Sequence, residues 1–181
     1  IIGDAKLVLQ QMIEEAKSQL GSAGRKDSSA ITKEIKAAKD AWLKKWMPKL
    51  TSDEVPINPY RLIWDMNNTF DKSKTIVTHD AGNTRDQITP FYETTEPYSY
   101  IGWGKSTTLG SSLGFAMGAK VAYPEKLSVG LCGDAGFGMV GMDFETAVRE
   151  NIPVLMIVAN NSVMGTYSKR SEEHTSELQS L

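Results

Sequence analysis

Leu127-Ser128-Val129-Gly130-Leu131-Cys132-Gly133-Asp134-Ala135-Gly136 decides the fold class. A mostly apolar run of strand length, 127–132, stops on a cluster of small residues that carries a single acid. Downstream, 141–151 has the make-up of a helix. After Pro153 comes a second short apolar run, 154–159, which closes on Asn160-Asn161. Strand, helix and strand in this order imply parallel pairing through a right-handed crossover. Upstream, 75–79 reads as another short strand ending at Asp80-Ala81-Gly82-Asn83-Thr84, and 109–122 as a helix whose Gly and Ala content predicts close packing. The class is therefore α/β with a parallel sheet, and such sheets collect ligands beyond the C-terminal ends of their strands.

The three strand ends carry the residues that suggest chemistry. In Gly133-Asp134-Ala135-Gly136, small side chains let a ligand approach the backbone, and free N–H groups favour phosphate. Asp134 would repel a bare phosphate, so an acid at this place makes sense if a divalent cation bridges the two. Asn160-Asn161 offers neutral oxygen at the next strand end, and Mg2+ takes hard oxygen ligands that phosphate can complete. Two rival motifs are weaker. Gly136-Phe137-Gly138-Met139-Val140-Gly141 matches a dinucleotide fingerprint, but the next strand end offers Asn160-Asn161 where an acid should hold the ribose. Gly104-Lys105-Ser106 has the ending of a phosphate loop, yet Ser99 stands where its first glycine should be.

Gly133-Asp134, then Asp143-Phe144-Glu145-Thr146-Ala147-Val148-Arg149, Pro153 and Asn160-Asn161 together resemble the long signature of thiamine diphosphate-dependent enzymes. Ala135 replaces that signature's usual second glycine. Thr107-Thr108-Leu109-Gly110 with Gly118-Ala119-Lys120 resembles the loop and helix beneath the cofactor rings, and 80–84 resembles the first diphosphate-binding turn. The resemblance implies a three-layer α/β fold, a parallel sheet with helices on both faces, whose sheet continues past Tyr167. It implies that Asp134, Asn161 and the Val163 carbonyl bind Mg2+. Asn83, Thr84, Thr107, Leu109, Gly133, Ala135, Gly136, Met139 and Gly165 would contact thiamine diphosphate, with the Thr107 carbonyl facing the aminopyrimidine and Leu109 as the wedge that bends the cofactor. In the family, a glutamate from a pyrimidine-binding domain of a second subunit completes the site, so a homodimer or homotetramer is implied. No segment here resembles that domain, and no catalytic residue is assigned within the chain.

The subgroup stays open. The start of the chain resembles acetolactate synthase-like enzymes, which decarboxylate or ligate 2-oxo acids. Asn83-Thr84-Arg85-Asp86 and Gly138-Met139-Val140-Gly141-Met142-Asp143 stand closer to oxalyl-CoA decarboxylase and 2-hydroxyacyl-CoA lyase, which take acyl-CoA substrates. A cofactor-binding paralogue without catalysis is a third reading.

Residues 1–20 read as an Asp4-capped helix with Leu9, Met12, Ile13, Ala16 and Leu20 at helical spacing, resembling the end of a central domain. A helical linker covers 21–55, with 21–29 small and polar, then Ile31, Ile35, Ala38, Trp42 and Trp46 on one face. Pro48, Pro56 and Pro59 punctuate the next stretch. Asn58-Pro59 reads as an N-cap and first turn, with Leu62, Ile63, Met66 and Phe70 buried behind it. The incomplete diphosphate- and Mg2+-binding domain spans 56–169. Residues 170–181 resemble a translated sequencing adapter and are expected to add nothing to the fold.

Composition sets the outer limits. Among 181 residues, 40% are hydrophobic and 23% charged. The longest apolar run, 152–159, suits a buried strand, whereas a membrane span needs roughly 20 residues. A net charge of -2 with both signs interspersed recruits neither nucleic acid nor an anionic membrane. The single cysteine, Cys132, forms no internal disulfide, so a reducing, cytoplasmic setting is expected. Cys132 reads as a small core residue, His79 as a structural histidine, Trp42 and Trp46 as packing between domains, and Glu145 with Arg149 as a surface pair.

Overall fold

Three of the four strands in the sheet are short runs that the sequence places within two residues of their ends. A computed structural model describes residues 2–21, 27–102 and 108–163. Thr107, Gly165 and the 170–181 tail lie outside the described residues. The chain divides into two compact units at the 47/48 junction, and each is described by itself.

In the first unit, α1 (Ala5–Leu20) begins where expected, with the Asp4 carboxylate accepting from the Leu7 N–H at 3.0 Å. It ends at Gly21, whose N–H donates to the Lys17 carbonyl at 2.8 Å. Helix α2 (Ser29–Leu50) starts after Asp27, which accepts from both the N–H and the hydroxyl of Ser29. Trp42 and Trp46 lie on one face with ring centroids 6.1 Å apart. Pro48 does not end this helix as its sequence position suggested. It forfeits one backbone bond in the last turn, and the helix continues to Leu50, which is fully buried; residues 48–50 are already counted in the second unit.

The second unit holds α3 (Pro59–Thr69), β1 (Thr75–His79), α4 (Asn83–Ile88), β2 (Tyr100–Ile101), α5 (Ser111–Ala122), β3 (Leu127–Gly133), α6 (Asp134–Val140), α7 (Asp143–Arg149) and β4 (Leu155–Ala159). All pairs are parallel, in the order β2-β1-β3-β4. Right-handed crossovers put the β1-to-β2 connection on one face and the connections to β3 and β4 on the other. Packing agrees: α5 lies on β1 and β3 beside α6 and α7, while α3 packs on α4. The expected α/β architecture, a parallel sheet with helices, is present.

Every residue of β1 is buried. Its polar side chains are satisfied internally: Thr78 Oγ1 donates to the Ser112 carbonyl at 2.8 Å, which also ties α5 to the sheet. Ser128 Oγ does the same from β3, donating to the Ala116 carbonyl at 2.6 Å. Gly130 leaves room for the Met156 side chain and the Ser112 carbonyl, so α5 sits close on the strand. Asn58 accepts from the Tyr60 N–H at 3.0 Å and Pro59 occupies the first turn of α3, as expected. Behind them Ile63 and Met66 are buried, while Leu62 and Phe70 are only half-buried.

Local differences from the sequence reading have physical causes. The helix expected at 141–151 is the shorter α7, and an unexpected helix, α6, precedes it; the two are separated at Gly141-Met142, where the Phe144 and Glu145 N–H groups reach back only three residues. The 80–84 turn already contains the start of α4, entered through Gly82 at φ 78°. Strand β2 has two residues, too short to show a period-two pattern, and is held by pairing with Val77 and Thr78. The 109–122 helix begins at Ser111, after Gly110 in the left-handed region at φ 82°.

Candidate functional site

The strand order creates a crevice. From β1 the chain moves outward to β2, then returns across β1 to β3 on its other side, so the turns after β1 and β3 leave in opposite directions. Ligands of open parallel sheets bind at such switch points. A cleft of about 870 Å³ lies there, within the size range of small-molecule sites.

Most of the residues singled out from sequence line this cleft: Asn83 and Thr84 after β1, Leu109 before α5, Gly133, Asp134, Ala135 and Gly136 after β3, and Asn161 and Val163 after β4. Met139 does not. It lies in the last turn of α6, is 59% exposed and is not among the lining residues. The sequence reading missed one wall of the cleft, formed by Ile57, Pro59 and Leu62, and also missed Arg85. Arg85 Nε pairs with Asp86 at 2.9 Å. Nothing in the apolar wall's local pattern signals a ligand, because its residues also serve as the start of an ordinary helix.

Strands β3 and β4 are in register with Gly133 opposite Ala159. Asp134 and Asn160 therefore leave neighbouring strand ends at the same level, with Asn161 one residue beyond. Among the described residues the Asp134 carboxylate has no hydrogen-bond or ion-pair partner. Asn160 Oδ1 accepts from the Ser162 N–H at 2.8 Å, and Asn161 Oδ1 from the Val163 N–H at 3.1 Å. Asn160 Oδ1 also accepts from Ser162 Oγ at 3.2 Å; these bonds curl the chain after β4 and fix both amides, and the Asn161 oxygen keeps a second lone pair. Among the described residues no three of His, Cys, Asp and Glu come together. The donor set is one carboxylate with amide and carbonyl oxygens, hard ligands that suit a magnesium ion completed by phosphate oxygens.

Two further groups shape the site from below. Asp80, fully buried at the end of β1, accepts from the Gly110 and Ser112 N–H groups, each at 2.7 Å, and from Ser111 Oγ at 3.3 Å. The first N–H groups of a helix lack intrahelical acceptors, and this carboxylate supplies them. Cys132 is buried. Loss of solvent, and then the negative charge of Asp80, push its thiol up to about 11, against a small opposing effect of Ser112. It is a core thiol, as expected.

His79 is also buried, with Nδ1 2.9 Å from the Asp80 carbonyl and its ring centroid 5.1 Å from that of Tyr100. It does not line the cleft and serves packing. Burial, then the neighbouring Tyr100, pushes the Tyr92 hydroxyl up to about 12. Glu145 and Arg149 form an exposed pair at 3.3 Å.

Residues 80–180 match the family model described as "Thiamine pyrophosphate enzyme, C-terminal TPP binding domain". The chain is 35% identical over 178 residues to 2-hydroxyacyl-CoA lyase of Oryza sativa subsp. japonica, covering 96% of this chain and 30% of that protein. It is 32% identical over 179 residues to 2-hydroxyacyl-CoA lyase of Arabidopsis thaliana, covering 97% and 31%. To the probable acetolactate synthase large subunit of Methanococcus aeolicus it is 28% identical over 171 residues, covering 91% and 28%. The chain thus spans less than a third of the length of these curated relatives. No helix among the described residues is long and apolar enough to cross a membrane.

Proposed function

We propose, on the premise that this chain belongs to the thiamine pyrophosphate enzymes as their C-terminal TPP-binding domain, that its cleft binds the diphosphate of thiamine diphosphate through Mg2+. The observation that carries the magnesium reading is the β3–β4 register. It sets Asp134, which has no partner among the described residues, beside the fixed amides of Asn160 and Asn161. Asp134, Asn161 and the Val163 carbonyl would hold the ion. Gly133, Ala135 and Gly136 give the diphosphate access to backbone on one side, and Asn83 and Thr84 border it on the other. Leu109 would fill the crook between the cofactor rings, while Ile57, Pro59 and Leu62 would give the cleft an apolar wall. Thr107 and Gly165, outside the described residues, are assigned to the cofactor by family resemblance, as is Met139, which is not among the residues lining the cleft. When bound, thiamine diphosphate supplies a carbon nucleophile that attacks a carbonyl and then serves as an electron sink.

The whole protein's activity is read as decarboxylation or ligation of 2-oxo acids, acetolactate synthase-like, by a homodimer or homotetramer in which a second subunit's pyrimidine-binding domain closes the site. A second reading, cleavage of a 2-hydroxyacyl-CoA, is favoured by Asn83-Thr84 in the first turn and by the 35% identity to the rice lyase. The 181-residue chain by itself is expected to show no turnover. Calorimetric titration with thiamine diphosphate, with and without Mg2+, tests the binding assignment: binding should require the ion. Equal affinity in excess chelator would refute it. Assays of the full-length protein with pyruvate and with a 2-hydroxyacyl-CoA separate the two activities.

A further inference from the structure

Among the described residues, the Asp80 carboxylate touches both turns assigned to the cofactor. Its Oδ2 accepts from the Gly110 N–H, immediately after Leu109. A side chain built at Gly136 would run into that same Oδ2. The first turn of α6, which carries Asp134, therefore rests on the atom that holds the Leu109 turn. The two backbones also meet directly: a Cβ at Gly136 would lie 3.5 Å from the Gly110 nitrogen, and one at Gly110 would lie 3.5 Å from the Gly136 carbonyl oxygen. Asp80 Oδ1 holds the Ser112 N–H, so both carboxylate oxygens are committed to the start of α5. The carboxylate is 0% exposed, and no water competes for these bonds.

We propose that Asp80 is a positioning residue that sets the distance between the Leu109 turn and the 133–136 turn, so that cofactor bending and diphosphate anchoring share one mechanical reference. The proposal rests on the reading of the cleft as a thiamine diphosphate site. Ordinary helix capping needs one acceptor at the helix start. It does not require a glycine of a different turn to be packed on the same oxygen, and this second contact is what makes Asp80 a link. Asparagine at this position keeps the shape but turns one acceptor into a donor, so one of the two N–H groups loses its partner.

Asp80→Asn in the full-length protein provides the test, with three readouts. Hydrogen exchange of the Gly110 and Ser112 amides in the cofactor-free protein should accelerate by about ten- to a hundredfold, the range expected from one charge-assisted hydrogen bond. Proton exchange at the reactive thiazolium carbon of bound cofactor should slow by about tenfold or more, while cofactor affinity at saturating Mg2+ changes by less than about threefold. A purely structural Asp80 would lower the melting temperature and leave carbon exchange untouched in the folded fraction; that outcome overturns the proposal. If Asp80→Asn does not fold, the unmodified protein still decides. Gly110 and Ser112 amides must exchange far more slowly than ordinary first-turn amides, and exchange at solvent-exposed rates overturns the link. Failure of the unmodified protein to bind thiamine diphosphate refutes the cofactor reading instead and is told apart by that control.

Discussion

Gly110→Ala tests how the start of α5 is built. Gly110 sits at φ 82°, ψ -1°, in the left-handed region, which costs an L-residue about 1–2 kcal/mol. A Cβ there would also lie 2.6 Å from Val140 Cγ1 and 3.3 Å from Cγ2. Such overpacking adds about 1–3 kcal/mol unless Val140 can move. Alanine keeps the N–H that donates to Asp80, so the change does not remove that bond. The expected loss is therefore about 2–5 kcal/mol, read as a lowered urea midpoint with an unchanged slope. Val140→Ala separates the two contributions. Alone it removes two half-buried methyl groups, for about 1 kcal/mol. Combined with Gly110→Ala it removes the clash, so the double variant should be more stable than the sum of the single effects by about 1–3 kcal/mol. Strict additivity would show that Val140 is not what the new methyl meets. A loss below about 0.5 kcal/mol in Gly110→Ala would refute both the strain and the clash.

Asp134→Ala should weaken Mg2+-dependent binding of thiamine diphosphate by more than about tenfold with the fold retained, since even outer partners of metal ligands cost about 10–100-fold; unchanged affinity by calorimetry sinks the metal assignment. Leu109→Ala in the full-length protein should slow proton exchange at the cofactor's reactive carbon by about tenfold or more, because misplacement of about 1 Å can cost about 100-fold. Wild-type exchange with lowered stability alone would reduce Leu109 to a core residue. For Cys132 the folded thiol titrates above its ordinary 9.0, near about 11. The unfolded chain therefore loses this proton first, and stability should fall as pH rises from 9 toward 11. Cys132→Ala should remove that part of the fall in urea midpoint; an identical pH profile in the variant would count against the buried-thiol account.

How much of the fold is legible in the sequence depends on how far apart the interacting residues lie along the chain. Strand β3 shows as a mostly apolar run because it is buried within the sheet, whereas β1, just as buried, carries Thr75, Thr78 and His79 and is legible only as a short stretch rich in β-branched residues before Asp80. Asp134 and Asn161 are readable as cleft-lining residues because parallel pairing brings the C-terminal ends of β3 and β4 side by side. Helix α6 was not readable: Gly136 and Gly138 within seven residues argue against a helix, and it forms where Gly136 packs on Asp80. Pro48 misled for a related reason, since a broken backbone bond is a local cost and the burial of Leu50 is a distant gain. The same division explains the site. Its polar donors lie on turns that a single segment specifies, whereas the apolar wall of Ile57, Pro59 and Leu62 comes from α3 and the residue before its cap, ahead of the sheet. Asp80 is the limiting case. Its partners, Gly110 and Ser112, are 30 and 32 residues away, so its sequence neighbours show only an acid after a strand. Yet that distant pairing is what joins the two turns into one site, so the residue least readable from sequence is the one on which their relative placement depends.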